Sequence, residues 1–295
     1  MNKIYKYEAQ LTSDGTAGKL LRLVGTHKTV LEIGCSSGSQ TKVMAEMLQC
    51  RVTGIEINGE AAKEAEPYCQ RLIVGNIESL PLKELFGEEV FDVILLADVL
   101  EHLYDPGSAL RKLLPLLADE GYVLASIPNI AHAAIVYELA HGRFDYRDMG
   151  LLDDTHIRFF TLKSIHRLFE SAGFTVAHLD RVEVAPTDTE FRIQVWSDTQ
   201  RRFLRYIEQN NPESHTYQYI VKAYPSADGS TPRLAWYEAQ EQIRSLQDRI
   251  AWLEDQVAQR EARMRVLESQ ITWLDNRPLR KWLRSIRGAL SSKWR

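Results

Sequence analysis

Between residues 16 and 225, short apolar runs alternate with stretches of helical period, and this restricts the fold more than any other feature of the chain. Seven runs have strand length: Thr29–Ile33, Arg51–Ile57, Arg71–Val74, Phe91–Leu96, Gly121–Ile127, Thr175–Glu183 and Thr216–Ala223. Between them, Ser39–Gln49, Ser108–Ala118 and Lys163–Ala172 carry helical spacing. Strands separated by helices on short connections predict a parallel sheet covered on both faces. The segment Asp188–Asn210, with Phe191, Val195, Phe203, Leu204 and Ile207, predicts a further helix before the last strand. The expected fold is a doubly wound, mostly parallel, seven-stranded α/β sheet.

Composition removes whole classes. At 44% hydrophobic and 26% charged residues, the chain is neither disordered nor collagen-like. Its longest apolar runs, such as Val93–Ala97, hold about five residues where a membrane span needs about twenty. The start, MNKIYKYEAQ, lacks the apolar core of a secretion signal. The three cysteines, Cys35, Cys50 and Cys69, have no metal spacing and read as reduced thiols of a cytosolic protein. Seven cations and no acid lie in Arg277–Arg295, leaving 29 basic against 40 acidic residues elsewhere, a net of −11. An acidic body argues against nucleic-acid binding.

The pattern changes at Pro225–Pro232, a linker by its Pro, Gly, Ser and Asp content. A heptad run follows. Position a holds Trp236, Ile243, Ile250, Val257, Met264 and Ile271; position d holds Ala239, Leu246, Leu253, Arg260, Leu267 and Leu274. Branched residues at a with Leu at d predict a parallel coiled-coil dimer, about 60 Å long as helix. The expected boundaries are a catalytic domain over 1–225, a linker over 226–232, a coiled coil over 233–275 and a basic amphipathic tail over 276–295. In the tail, Leu279, Trp282, Leu283, Ile286 and Leu290 share one helical face among cations, which suits an anionic membrane surface or a partner protein.

The densest chemistry begins at Val30-Leu31-Glu32-Ile33-Gly34-Cys35-Ser36-Ser37-Gly38-Ser39. A strand enters a small-residue loop and a helix leaves it, so a ligand can lie against backbone beside a helix N-terminus. Taken alone, such a loop is also compatible with a simple tight turn. The next strand ends in Glu56, where a carboxylate can accept both hydroxyls of a ribose, at the spacing from Gly34 that this role needs. No Lys-Ser/Thr follows the loop, so there is no triphosphate cradle. Gly75-Asn76-Ile77-Glu78 could border an adenine, and Ala97-Asp98-Val99-Leu100-Glu101-His102-Leu103 places polar groups at the end of the fourth strand.

This set resembles the class I S-adenosylmethionine-dependent methyltransferases of small-molecule type, over about residues 16–225. Glu32–Gly38 matches the first motif, Glu56 the ribose acid, and Asp98–Leu103 the motif after strand four. The resemblance implies S-adenosylmethionine as cofactor, held by Glu32, Gly34, Cys35, Ser36, Gly38, Glu56, Ile57, Asn76, Ile77 and Asp98. Two positions depart from the pattern: Ser36 stands where Gly is frequent, and Asn76 where Asp is frequent. Methyl transfer to a hydroxyl benefits from a base. His156, in the insertion Phe144–Thr161, is the first candidate; Asp154 and His132 accompany it, with Arg158 orienting Asp154 or binding the acceptor. An equal alternative makes His156 a residue that orders its loop. No metal is expected as the leading reading; Asp98, Glu101 and His102, with His132 or His156, form an alternative ligand set, since some related methyltransferases bind a divalent ion through Glu-x-x-Glu-His. Tyr5 and Tyr7 lie in a segment that is either a lid or a frayed end, and Trp196 is expected in the core or pocket wall.

The order of methyltransferase, coiled coil and cationic end also resembles proteins of bacterial surface-polysaccharide synthesis. That resemblance implies a sugar or glycan-end hydroxyl as acceptor, glycan-assembly partners and a cytoplasmic location at the inner membrane face. Two alternatives stand beside it: methylation of a phenolic or other small acceptor, and a degenerate domain serving as a scaffold.

Overall fold

A computed structural model describes residues 7–226, 232–275, 282 and 285–287. Tyr5, the interior of the predicted linker and most of the predicted basic tail, Leu290 included, lie outside the described residues. The chain forms two units, Met1–Leu234 and Ala235–Arg295.

In chain order the first unit contains α1 (Thr16–Val24), β1 (Thr29–Ile33), α2 (Ser39–Glu46), β2 (Arg51–Glu56), α3 (Gly59–Ala65), β3 (Arg71–Val74), α4 (Leu82–Phe86) and β4 (Phe91–Ala97). It continues with α5 (Pro106–Leu113), β5 (Leu117–Pro128), α6 (Ala133–Ala140), α7 (Leu162–Ser171), β6 (Phe174–Glu183), α8 (Asp198–Asn210) and β7 (Thr216–Pro225). The strands form one sheet in the order β3-β2-β1-β4-β5-β7-β6. β1 to β5 run parallel, and β7 runs antiparallel between β5 and β6. This is the expected doubly wound, mostly parallel arrangement.

Side-chain alternation explains the two covered faces. Along β1 and β4, Leu31, Ile33, Ile94 and Leu96 face a core shared with α4, α5 and α7. Val30, Val93 and Leu95 face the opposite core, built with α1 and α2. Strands buried on both sides have no polar alternation, which is why they read as continuous apolar runs.

Three predicted helices are shorter than expected. α2 ends at Glu46 rather than Gln49, and α5 ends at Leu113 because Leu117 and Ala118 already belong to β5. α8 starts only at Asp198, because Ser197 caps it: its hydroxyl accepts from Gln200 N–H, and the Gln200 side chain accepts from Ser197 N–H. Phe191 and Val195, read as part of that helix, instead pack from an irregular segment against α6. Trp196 is 78% exposed, contrary to its expected place in the core or pocket wall.

All but the first three residues of α9 (Pro232–Asp275), which is 44 residues long, belong to the second unit. Among the described residues, no helix is long and apolar enough to cross a membrane.

Candidate active site

The loop after β1 is held by its own backbone. Gly34 N–H donates to Ile55 O at 2.7 Å. Its φ is +73°, and a β-carbon there would sit 2.8 Å from Val99 Cγ2, so only glycine fits. Ser36 and Asp98 also adopt left-handed backbone, at φ +49° and +54°. Such strained non-glycine residues concentrate at functional sites. Ser36 N–H donates to Glu56 Oε2 at 2.8 Å, and Asn58 N–H donates to Oε1 at 2.7 Å. Glu56 therefore ties the ends of β1 and β2 together while each oxygen keeps a further lone pair. Beside it lies a cavity of about 360 Å³, whose walls include Gly34, Ser36, Glu56, Ile57, Asn76, Ile77 and Asp98.

A second cavity of about 280 Å³ adjoins the first, and Gly34, Ser36, Asp98 and His102 belong to both walls. Glu32 and Cys35 line this second space. Glu32 is buried, accepts from the Thr41 hydroxyl at 2.6 Å, and burial pushes its carboxyl up to about 7. Gly38 lines neither cavity. Its role is packing: at φ +82° it starts α2, and a β-carbon would collide with Ala65 Cα of α3 at 2.8 Å.

The insertion between α6 and α7 closes the far wall. Ile157 and Arg158 N–H both donate to Glu101 O at 3.0 Å, which clasps the insertion onto the turn Leu100–His102. That clasp brings three side chains together. His156 and His102 meet edge to face with centroids 4.9 Å apart. His156 Nε2 lies 4.0 Å from Glu101 Oε1. Glu101 is fully buried, and neither of its oxygens has a hydrogen-bond partner in the protein. Burial, reinforced by the charges of Asp98 and Asp153, holds its carboxyl well above the usual carboxylate range. His156 Nδ1 lies 3.2 Å from Leu151 O; donation there makes Nε2 the basic atom.

Two candidate bases do not reach this wall. His132 is buried, with Nδ1 accepting from Ala134 N–H at the start of α6 and Nε2 2.9 Å from Val184 O. Both ring nitrogens serve the fold, and burial lowers its pKa. Asp154 is exposed and lines neither cavity. Its neighbour Asp153 is buried in the wall, accepting from Thr155 N–H and hydroxyl at 2.9 and 2.6 Å. The Arg158 guanidinium donates to Tyr104 O at 3.1 Å. The alternative metal set is narrowed. Asp98 Oδ1 accepts from Ser126 Oγ and Gln218 Nε2, both at 2.7 Å. Of that set, Glu101, His102 and His156 form the group whose ligand atoms lie within 4.8 Å of one another, without Asp98 or His132. Two imidazoles and a carboxylate form a donor set suited to zinc, iron(II) or manganese.

Tyr7, from the segment expected to be a lid or a frayed end, lines the second cavity. Sequence reasoning missed Gln40, Met149, Tyr217 and Gln218, which line it too. Gln40 Nε2 donates to Tyr7 Oη at 2.8 Å, seating the segment before α1 over the loop. Tyr217 and Gln218 come from the start of β7, and nothing in a strand's alternation distinguishes a wall position from a core one.

The comparisons with known proteins agree with this geometry. Residues 8–179, more than half of the chain, match the family model described as a methyltransferase domain. The ubiquinone biosynthesis O-methyltransferase of Aeromonas salmonicida is 27% identical over 173 residues, covering 56% of this chain and 71% of that protein. Its counterpart in Psychrobacter arcticus is 25% identical over 153 residues, 50% of this chain and 59% of that protein. The counterpart in Bordetella pertussis is 31% identical over 117 residues, 39% of this chain and 46% of that protein. The chain thus spans only about half to two thirds of the length of several such relatives. Among solved structures, a SAM-dependent methyltransferase from Archaeoglobus fulgidus superposes with a TM-score of 0.51 at 16% identity, covering 70% of this chain and 90% of that one. A glycine-floored loop, a buried acid closing it, and a sheet with an inserted antiparallel last strand accompany a family match over most of the catalytic unit: the chain belongs to the methyltransferase-domain family and is an S-adenosylmethionine-dependent methyltransferase.

Proposed function

We propose that this enzyme methylates a hydroxyl of a small, flat acceptor such as a phenol or catechol, with His156 as the base. One observation carries the reading: an imidazole stands beside a buried carboxylate without a protein hydrogen bond, in a cavity adjoining the one that suits the cofactor. Bound S-adenosylmethionine supplies the electrophilic methyl group and its own leaving group. Glu56 would accept the ribose hydroxyls, with Gly34 and Ser36 forming the floor and Asn76 and Ile77 the adenine border. Asp98 would meet the cofactor where the cavities adjoin, through Oδ2. His156 takes the acceptor's proton at Nε2. The imidazolium that forms favours ionisation of Glu101, whose carboxyl burial otherwise holds in the protonated form. Pro128, Met149 and Tyr217 give the acceptor an apolar, partly aromatic wall.

The names of the relatives, all ubiquinone biosynthesis O-methyltransferases, support a small aromatic acceptor over the sugar or glycan end. The glycan reading draws on domain order and on a cationic end most of which lies outside the described residues. The deciding experiment is release of S-adenosylhomocysteine with a panel of catechols, monophenols, free sugars and sugar phosphates, followed by mass spectrometry of the product. Methyl ethers on the catechols are expected. Turnover confined to the sugars would restore the glycan reading.

A further inference from the structure

The heptad seam of α9 lies outside residues 8–179, which match the methyltransferase-domain model. Its described members are exposed: Leu246, Ile250, Leu253, Val257, Met264, Leu267 and Ile271 are each between 46% and 63% accessible. A helix of 44 residues that leaves such a stripe uncovered has a partner face, not a finished surface. We infer that this face is covered by α9 of a second copy of the chain, in a parallel, in-register, two-stranded coiled coil.

Charge selects both the partner and its direction. The g positions carry Arg249 and Arg263, and the e positions carry Glu254, Glu261, Glu268 and Asp275. In a parallel pair, g meets e of the following heptad on the partner. Arg249 then faces Glu254 and Arg263 faces Glu268, each twice by symmetry, with no like charges opposed. In an antiparallel pair, e meets e and g meets g, so the acidic e positions gather together and neither Arg gains an acidic partner across the seam. A second copy therefore fits in one direction only. Seam chemistry sets the strand number: Ile243, Ile250, Val257 and Ile271 at a with Leu246, Leu253, Leu267 and Leu274 at d favour two strands. Arg260, the single polar d residue, agrees. Between two helices its long side chain can leave the seam toward solvent and the partner's e-position acid, whereas three strands would enclose it.

The test is light scattering and sedimentation equilibrium on the full chain. Twice the chain mass is expected, and a monomer or a trimer overturns the inference. Leu253→Asp with Leu267→Asp should give a monomer whose methyl transfer to a soluble acceptor is unchanged. Glu254→Lys with Glu268→Lys should weaken the dimer, and adding Arg249→Glu with Arg263→Glu should restore it. An antiparallel pair would show neither loss nor rescue. Leu267→Cys should oxidise to a covalent dimer under conditions where the native cysteines do not; absence of that product from a protein that still dimerises refutes the parallel register.

Discussion

Glu56→Gln is the sharpest perturbation of the cofactor half. The substitution keeps shape and volume but replaces one carboxylate oxygen by an amide NH₂. Each native oxygen already accepts one backbone N–H, from Ser36 at 2.8 Å and Asn58 at 2.7 Å. The variant therefore leaves one of those donors facing another donor, and it removes the charge from the bonds available to the ribose. Hydrogen bonds to charged groups are worth about 1.5–3 kcal/mol each, so losing one and weakening the other costs about 2–4 kcal/mol. At 1.4 kcal/mol per tenfold, the Kd for cofactor should rise about 30- to 700-fold. Calorimetry with S-adenosylhomocysteine measures this without turnover, and thermal melts of the ligand-free variant report how much of the cost falls on the loop. Glu56→Asp, which keeps the charge but shortens the reach, should lie between the two. An unchanged Kd in a folded Glu56→Gln variant would refute the ribose assignment.

The remaining expectations concern the reacting half and the core beneath it. His156→Ala should lower kcat by about 10²–10⁴ with cofactor affinity retained; full turnover removes the histidine from the chemistry, and lost cofactor binding makes it structural. Treatment with a chelator should leave the rate unchanged; a loss reversed by zinc or manganese would instead make Glu101, His102 and His156 ligands. The raised carboxyl of Glu32 gives a pH signature. Between its ordinary 4.5 and about 7, the folded chain holds a proton that the unfolded chain has released. Its contribution to stability is therefore greatest at low pH and is lost as pH rises through 7. Urea unfolding of Glu32→Gln should lack that part of the slope, and a slope identical to that of the native chain would count against it.

The sheet was legible because its central strands are buried on both faces, so apolar runs mark them without ambiguity. The cofactor loop was legible because one contiguous stretch, Gly34–Gly38, carries its backbone requirements. The reacting wall was not, for a different reason in each case. Asp153 and Asp154 are identical in type and adjacent in sequence, and only the turn that binds Arg147 and Gly150 decides which carboxylate faces inward. His132 and His156 are both buried histidines in the same region; they differ in whether α6 consumes the ring as a cap. Phe191 and Val195 suggested a helix because apolar spacing cannot distinguish a helical face from an irregular segment feeding a satellite core.

The position of β7 has a consequence for how the enzyme is made. Among the described residues β6 pairs with β7 alone, and β7 fills the gap between β6 and β5. During synthesis β6 emerges with no neighbour to pair with, and β5 waits with an open edge, until residues 216–225 arrive. The same late segment carries Tyr217 and Gln218 to the reacting wall, and Gln218 reaches back 120 residues to Asp98. Contacts of such sequence separation form slowly. The nascent enzyme thus completes its sheet and its reacting wall in one step, near the end of the catalytic unit, and stays exposed to edge-to-edge pairing until then.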